Sequence, residues 1–226
     1  MRSELYADSK DVWKWTVALR HALHTHQDIF WVAMFRPDEQ MHGDDEQDVP
    51  DALPELAAFF KNERDLIKHG CPPSLSRTTL VCHQLGVQMF ANLDNYPTTE
   101  GKRRVYIERI CSTLSARAGS QPYLVLVDPD DGIGQRSANG KQIHKSHLKA
   151  VWDRLKDGDT LGIVQFKHHR RDGDIPNSWH TALQKEIAEV LGVLQGSVVP
   201  SRWDNVCIYL IDRAVMPMST SNGQES

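Results

Sequence analysis

Apolar residues recur at helical spacing in some stretches of the chain and run unbroken in others, and the two patterns alternate. Residues 11–25 place Val12, Trp15, Leu19 and Leu23 on roughly one helical face, with Asp8 or Ser9 as the cap. Trp13 and Trp15 in this helix are expected to pack inward. Residues 29–35, IFWVAMF, form a short apolar run stopped by Arg36-Pro37. Such a run predicts a strand covered on both faces. Residues 38–54 are acidic and turn-rich, with Gly43, Pro50 and Pro54, and read as a long loop.

Residues 53–69 predict a helix ended by Gly70-Cys71-Pro72-Pro73. Residues 78–86 and 87–92 carry weaker signals, and either reads as a short strand. Residues 103–118 predict a helix with Val105, Ile110 and Leu114 among its apolar positions. The run YLVLV at 123–127 is the strongest strand signal, and it ends in Asp128-Pro129-Asp130-Asp131-Gly132. A helix over 141–156, a strand TLGIVQF at 160–166 and a helix over 177–191 follow. Residues 198–200 and 206–211 read as a closing strand pair, and 215–226 as a polar, flexible tail.

Unbroken strands alternating with helices predict a three-layer α/β fold with a mostly parallel sheet. The short link between the last two strands adds an antiparallel C-terminal edge. Residues 1–214 are expected to form one domain, since 226 residues suffice for one substantial core.

Composition narrows the classes. No run of 18 apolar residues exists, so no membrane-spanning helix is expected. Lys plus Arg number 26 and Asp plus Glu 30, for a net charge of −4, which argues against a general polyanion binder while leaving room for a local basic patch. Cys71, Cys82, Cys111 and Cys207 have neither CxxC nor zinc-finger spacing. Together with a polar start at residues 1–9, they predict free, mostly buried thiols and a cytoplasmic setting. The chain has no P-loop, no GxGxxG after the first strand and no GxSxG elbow.

In open α/β sheets ligands bind past the carboxyl ends of strands. Three such ends are polar here: Arg36, Asp38 and Glu39; Asp128 with Asp130, Asp131, Gly132 and Gly134; and Lys167-His168-His169-Arg170-Arg171. Pro129 presses Asp128 toward an extended conformation at the second strand tip. Three clustered carboxylates there suit Mg²⁺ or hydrogen bonds from an amine, and equally an ordinary turn. The His-Arg run suits a phosphate clamp or a base, and equally a solvated loop. His21, His24 and His26 complement a helix dipole, and His144 with His147 read as a surface pair.

The segment Asp11-Val12-Trp13-Lys14 resembles the N-terminal motif of bacterial rRNA adenine-N6 methyltransferases, and Asp128-Pro129 stands where that family carries its Asp-Pro strand tip. Residues 6–14, 128–133 and 165–170 also resemble, in order, three blocks of a bacterial group with a DPDNGL-type tip. The resemblance implies a Rossmann-like, S-adenosylmethionine-dependent methyltransferase domain over 1–214. It implies that Lys14, Asp11 and Asp38 hold the cofactor. Asp128, Asp130 and His169 would be catalytic, and Asp131 and Arg170 would contact substrate or phosphate on a nucleic-acid base. Two features depart from the family: Arg36-Pro37-Asp38-Glu39 replaces its Gly-rich loop, and Asp130 and Asp131 replace a proline and an aromatic.

Two alternatives accompany this expectation. One is a metal-dependent nuclease or phosphotransferase, with Mg²⁺ on Asp128, Asp130 and Asp131 and His168 or His169 as base. The other is a catalytically silent binding protein of the same fold. No membrane partner is expected.

Overall fold

A computed structural model describes residues 7–34, 47–72, 74–97, 99–117, 119, 121–129, 132–134, 142–166 and 179–213. Among the sequence expectations, Asp38, Asp130, Asp131, His168, His169, Arg170 and the tail at 215–226 lie outside these residues.

The elements in chain order are α1 (Ser9–Thr25), β1 (Asp28–Val32), α2 (Pro54–Lys68), α3 (Ser76–Gln84), β2 (Met89–Asn92), α4 (Glu100–Ala116) and β3 (Tyr123–Val127). Then come β4 (Ile133–Gly134), β5 (Ile143–His144), α5 (Lys145–Trp152), β6 (Thr160–Phe166), α6 (Trp179–Leu191), β7 (Val199–Trp203) and β8 (Val206–Asp212). Six strands form one sheet in the order β2-β1-β3-β6-β8-β7. The pairs β1–β2, β1–β3 and β3–β6 are parallel, whereas β8 runs antiparallel to both β6 and β7. The fold is therefore α/β and Rossmann-like, with the antiparallel C-terminal edge expected from the sequence.

The strands read as continuous apolar runs because both faces are buried. On one face Phe30, Val32, Val125 and Val127 join a core with Ile107, Ile110 and Leu148. On the other, Ile29, Trp31, Leu124 and Leu126 pack with Trp15, Leu19 and Phe60. Trp15 meets Trp31 edge-on, ring centroids 4.9 Å apart, and Trp13 is buried as well. Asp8 is the cap of α1: its Oδ1 accepts from the Asp11 amide at 2.9 Å.

Three local expectations are corrected. Residues 76–84 are helical, not a strand, because Thr78, Val81 and Cys82 are buried at i, i+3 and i+4 while Leu80 faces solvent. The weak signal over 78–86 read as a short strand, but the spacing of its buried residues is that of a helix. Helix α5 begins at Lys145 rather than 141, because Ile143 and His144 pair in parallel with Ile133 and Gly134. His147 is buried rather than part of a surface pair, since α5 turns it inward. Val105, in turn, lies on the exposed side of α4. Three thiols are buried and Cys71 is exposed. Among the described residues, no helix is long and apolar enough to cross a membrane.

At the amino ends of the strands Asp159 is fully buried. It accepts from the amides of Tyr123 at 2.9 Å and Lys156 at 2.6 Å, and from Arg117 Nη2. The Arg117 side chain is also buried. Removing one partner of such a pair strands a buried charge. Asp159→Ala is expected to lower unfolding free energy by about 3–5 kcal/mol in urea titrations.

Candidate functional site at the β1 and β3 strand ends

The chain leaves β1 for β2 on one side and later returns to place β3 on the other. The crevice past the carboxyl ends of β1 and β3 is therefore the topological switch point of the sheet, where open α/β folds bind ligands. Two segments meet there: the first turn of α1 and the residue after β3.

Lys14 joins them. Its Nζ donates to Asp11 Oδ1 at 2.5 Å and to Asp128 Oδ2 at 2.8 Å. Asp128 Oδ2 also accepts from Trp31 Nε1 at 3.3 Å. Asp11 Oδ2 accepts from the Ala7 amide at 2.8 Å, and Ala7 adopts a left-handed φ of 71°. Arg64 of α2 reaches the Ala7 carbonyl at 2.7 Å. Asp8, Asp11, Lys14 and Asp128 are each at most 5% exposed, so the cluster is sealed.

Three carboxyl groups thus surround one ammonium in a desolvated place. Burial pulls the Lys14 ammonium down, but Asp11 and Asp128 outweigh it and raise its pKa. Burial raises the Asp11 carboxyl above the usual range against the pull of Lys14. Asp8 is raised by burial and by the charge of Asp11, from 3.8 to about 7. The start of α1 favours carboxylates through its unpaired amides, which offsets part of this cost.

Gly132 and Ile133, past β3, are held from the β6 side. Gln165 Oε1 accepts from the Ile133 amide at 2.8 Å, and Gln165 Nε2 donates to the Phe166 carbonyl at 2.8 Å. Gly132 has φ 76°, and a Cβ there would stand 2.1 Å from Gln165 Oε1, so only glycine fits. A cavity of about 320 Å³ opens beside the start of α1, walled by Ser9, Val12, Gln47, Ala57 and Arg64. Lys14 and Asp128 do not line it.

Of the residues expected at a site, the fold brings Asp11, Lys14 and Asp128 into contact. Asp38, Asp130, Asp131, His169 and Arg170 fall outside the described residues. Sequence reasoning missed Trp31 and Gln165 as partners of this region. Gln165 had a readable signal, a lone amide inside an otherwise apolar strand. Among the described residues no group of three or more His, Cys, Asp or Glu is placed to hold a metal. No family model and no curated protein matches the chain.

Two outcomes test the cluster. Lys14→Met leaves Asp11 and Asp128 buried without their cation, and a loss of about 3–5 kcal/mol is expected in denaturant titrations. Adding Asp128→Asn should cost less than the two single losses combined, as contacting residues are not additive. For Asp8 the native carboxyl holds its proton to higher pH than the unfolded one. Stability linked to it is complete below about 4 and falls as pH rises through about 7. Asp8→Asn keeps the cap and should flatten that segment of a melting-temperature profile against pH.

Proposed function

We propose that this chain is a methyltransferase-like Rossmann protein that takes S-adenosylmethionine at the switch point and acts on a nucleic-acid base. The observation that carries the reading is the Lys14 bridge, which fixes the first turn of α1 against Asp128 beside the β1 end. The resemblance of residues 11–14 and of Asp128-Pro129 to the rRNA adenine-N6 methyltransferases supports it.

The residues present suit this cofactor in sign. The two carboxyl groups of Asp11 and Asp128 outnumber the one ammonium between them, a field that favours a cationic ligand. Bound there, S-adenosylmethionine would supply an electrophilic methyl group. Lys14 acts as a positioning residue, since its ammonium is spent on Asp11 and Asp128. Asp128 is held in one orientation by Lys14 and Trp31, and its role is to accept from the exocyclic amine of the base.

Mg²⁺ suits the donor set less well. Asp128 Oδ2 already faces an ammonium at 2.8 Å, which a dication would have to displace. The burial of the whole cluster supports a second reading, a catalytically silent binding protein of the same fold.

Calorimetry with S-adenosylmethionine separates these readings. Micromolar binding is expected, with methyl transfer from labelled cofactor to RNA or DNA that falls about a hundredfold in Asp128→Asn. Flat calorimetry at millimolar cofactor overturns the proposal. Binding without transfer supports the silent reading.

A further inference from the structure

The first turns of α4 and α5 meet in a small cluster of charged and imidazole groups. Arg103 of α4, only 4% exposed, donates to Glu100 Oε2 from Nε at 3.2 Å and from Nη2 at 3.0 Å. His147 of α5 places its Nε2 3.4 Å from the other Glu100 oxygen, Oε1. The His144 ring, from β5, meets the His147 ring in a T shape with centroids 5.7 Å apart. From α6, Glu186 pairs with Lys145 instead. The junction also carries the β4–β5 pair. Helix α5 follows β5 directly, and the Ile143 amide donates to the Gly132 carbonyl at 2.9 Å.

The two nitrogens of His147 have unlike surroundings. Nε2 faces a carboxylate, whereas Nδ1 is sealed from solvent and meets no hydrogen-bond partner. A neutral ring with its proton on Nε2 leaves only an unused lone pair at Nδ1. A charged ring puts an N–H there with no acceptor, and a buried donor left unpaired is costlier still when charged. Glu100 returns little of that cost. Its side chain is 61% exposed, where ion pairs are weak, and its other oxygen already serves Arg103. The Arg103 guanidinium and the His144 ring add repulsion. Burial thus holds the His147 imidazole below its ordinary range, against the pull of Glu100.

We infer that His147 is an acid-released latch: the neutral ring seats the first turn of α5 against α4, and a proton entering at Nδ1 frees that turn together with β5. The native ring takes its second proton at lower pH than the unfolded one. The local stability linked to it is therefore complete above about pH 6.5 and is lost as pH falls below that value. The strand that is freed is the partner of β4, so acid loosens the segment past β3 from the side away from Gln165. The latch does not rest on the proposed methyl transfer.

Amide hydrogen exchange of the full chain, read by NMR at about pH 7.5 and about pH 5.5, tests it. The protection factor of the Ile143 amide should fall by up to about tenfold at the lower pH, while that of Leu126, inside β3, stays constant. His147→Gln keeps an N–H toward Glu100 but takes no proton, and should hold Ile143 equally protected at both pH values. His144→Asn retains a cap for α5 and should behave as the wild type does, which separates the two rings. A fall of equal size in His147→Gln overturns the inference, as does a fall that Leu126 shares, or no fall in the wild type or in His144→Asn. If His147→Gln does not fold, the ring ¹⁵N signals of the wild type decide. A proton on Nε2, a bare Nδ1 and a titration midpoint below about 6.5 are expected. A proton on Nδ1 at neutral pH, or a midpoint above about 6.5, overturns the latch.

Discussion

A single ammonium group, that of Lys14, holds the first helix to the centre of the sheet. Its two carboxylate partners are far apart in the chain, Asp11 one helical turn before it and Asp128 114 residues after it. That contact fixes how α1 enters the switch point, while Gln165 holds Ile133 from the β6 side. The same turn carries the left-handed Ala7, whose amide donates to Asp11 and whose carbonyl accepts from Arg64 of α2. Without a cation at position 14, two buried carboxylates would repel, and the helix would lose its fixed entry point.

The sheet was legible where burial leaves a period-free apolar run. The strands Tyr123–Val127 and Thr160–Phe166 have the bounds their sequences announce. The parallel core and the antiparallel last pair were legible for the same reason. Residues 76–84 were not, since Thr79, Leu80 and Val81 favour strands by composition while the burial of Thr78, Val81 and Cys82 follows a helical face. The pairing of β4 with β5 was hidden as well. Two-residue strands carry no period, and their placement rests on Gln165 and the Gly132 carbonyl.

The site was legible in a different way. No spacing rule links residues 11 and 14 to residue 128, and only the resemblance of both segments to one family put them in one place. The structure brings them into contact, and it adds a physical point that the letters do not hold. Lys14 is enclosed by its partners, so its part is to fix geometry. The inward turn of His147 belongs to the same class of facts, because a helix of eight residues is too short for its facing to be read from pattern alone.

Gln165 has a mechanical consequence. Its amide ties Ile133 to the end of β6, and a side chain at Gly132 would collide with it. One side chain thus couples β4 to the last residues of β6. On the α1 side the Lys14 bridge plays the matching part, tying α1 to the residue after β3. The β3 end is therefore held by two buried side chains, Lys14 and Gln165, and losing either would loosen the fold there.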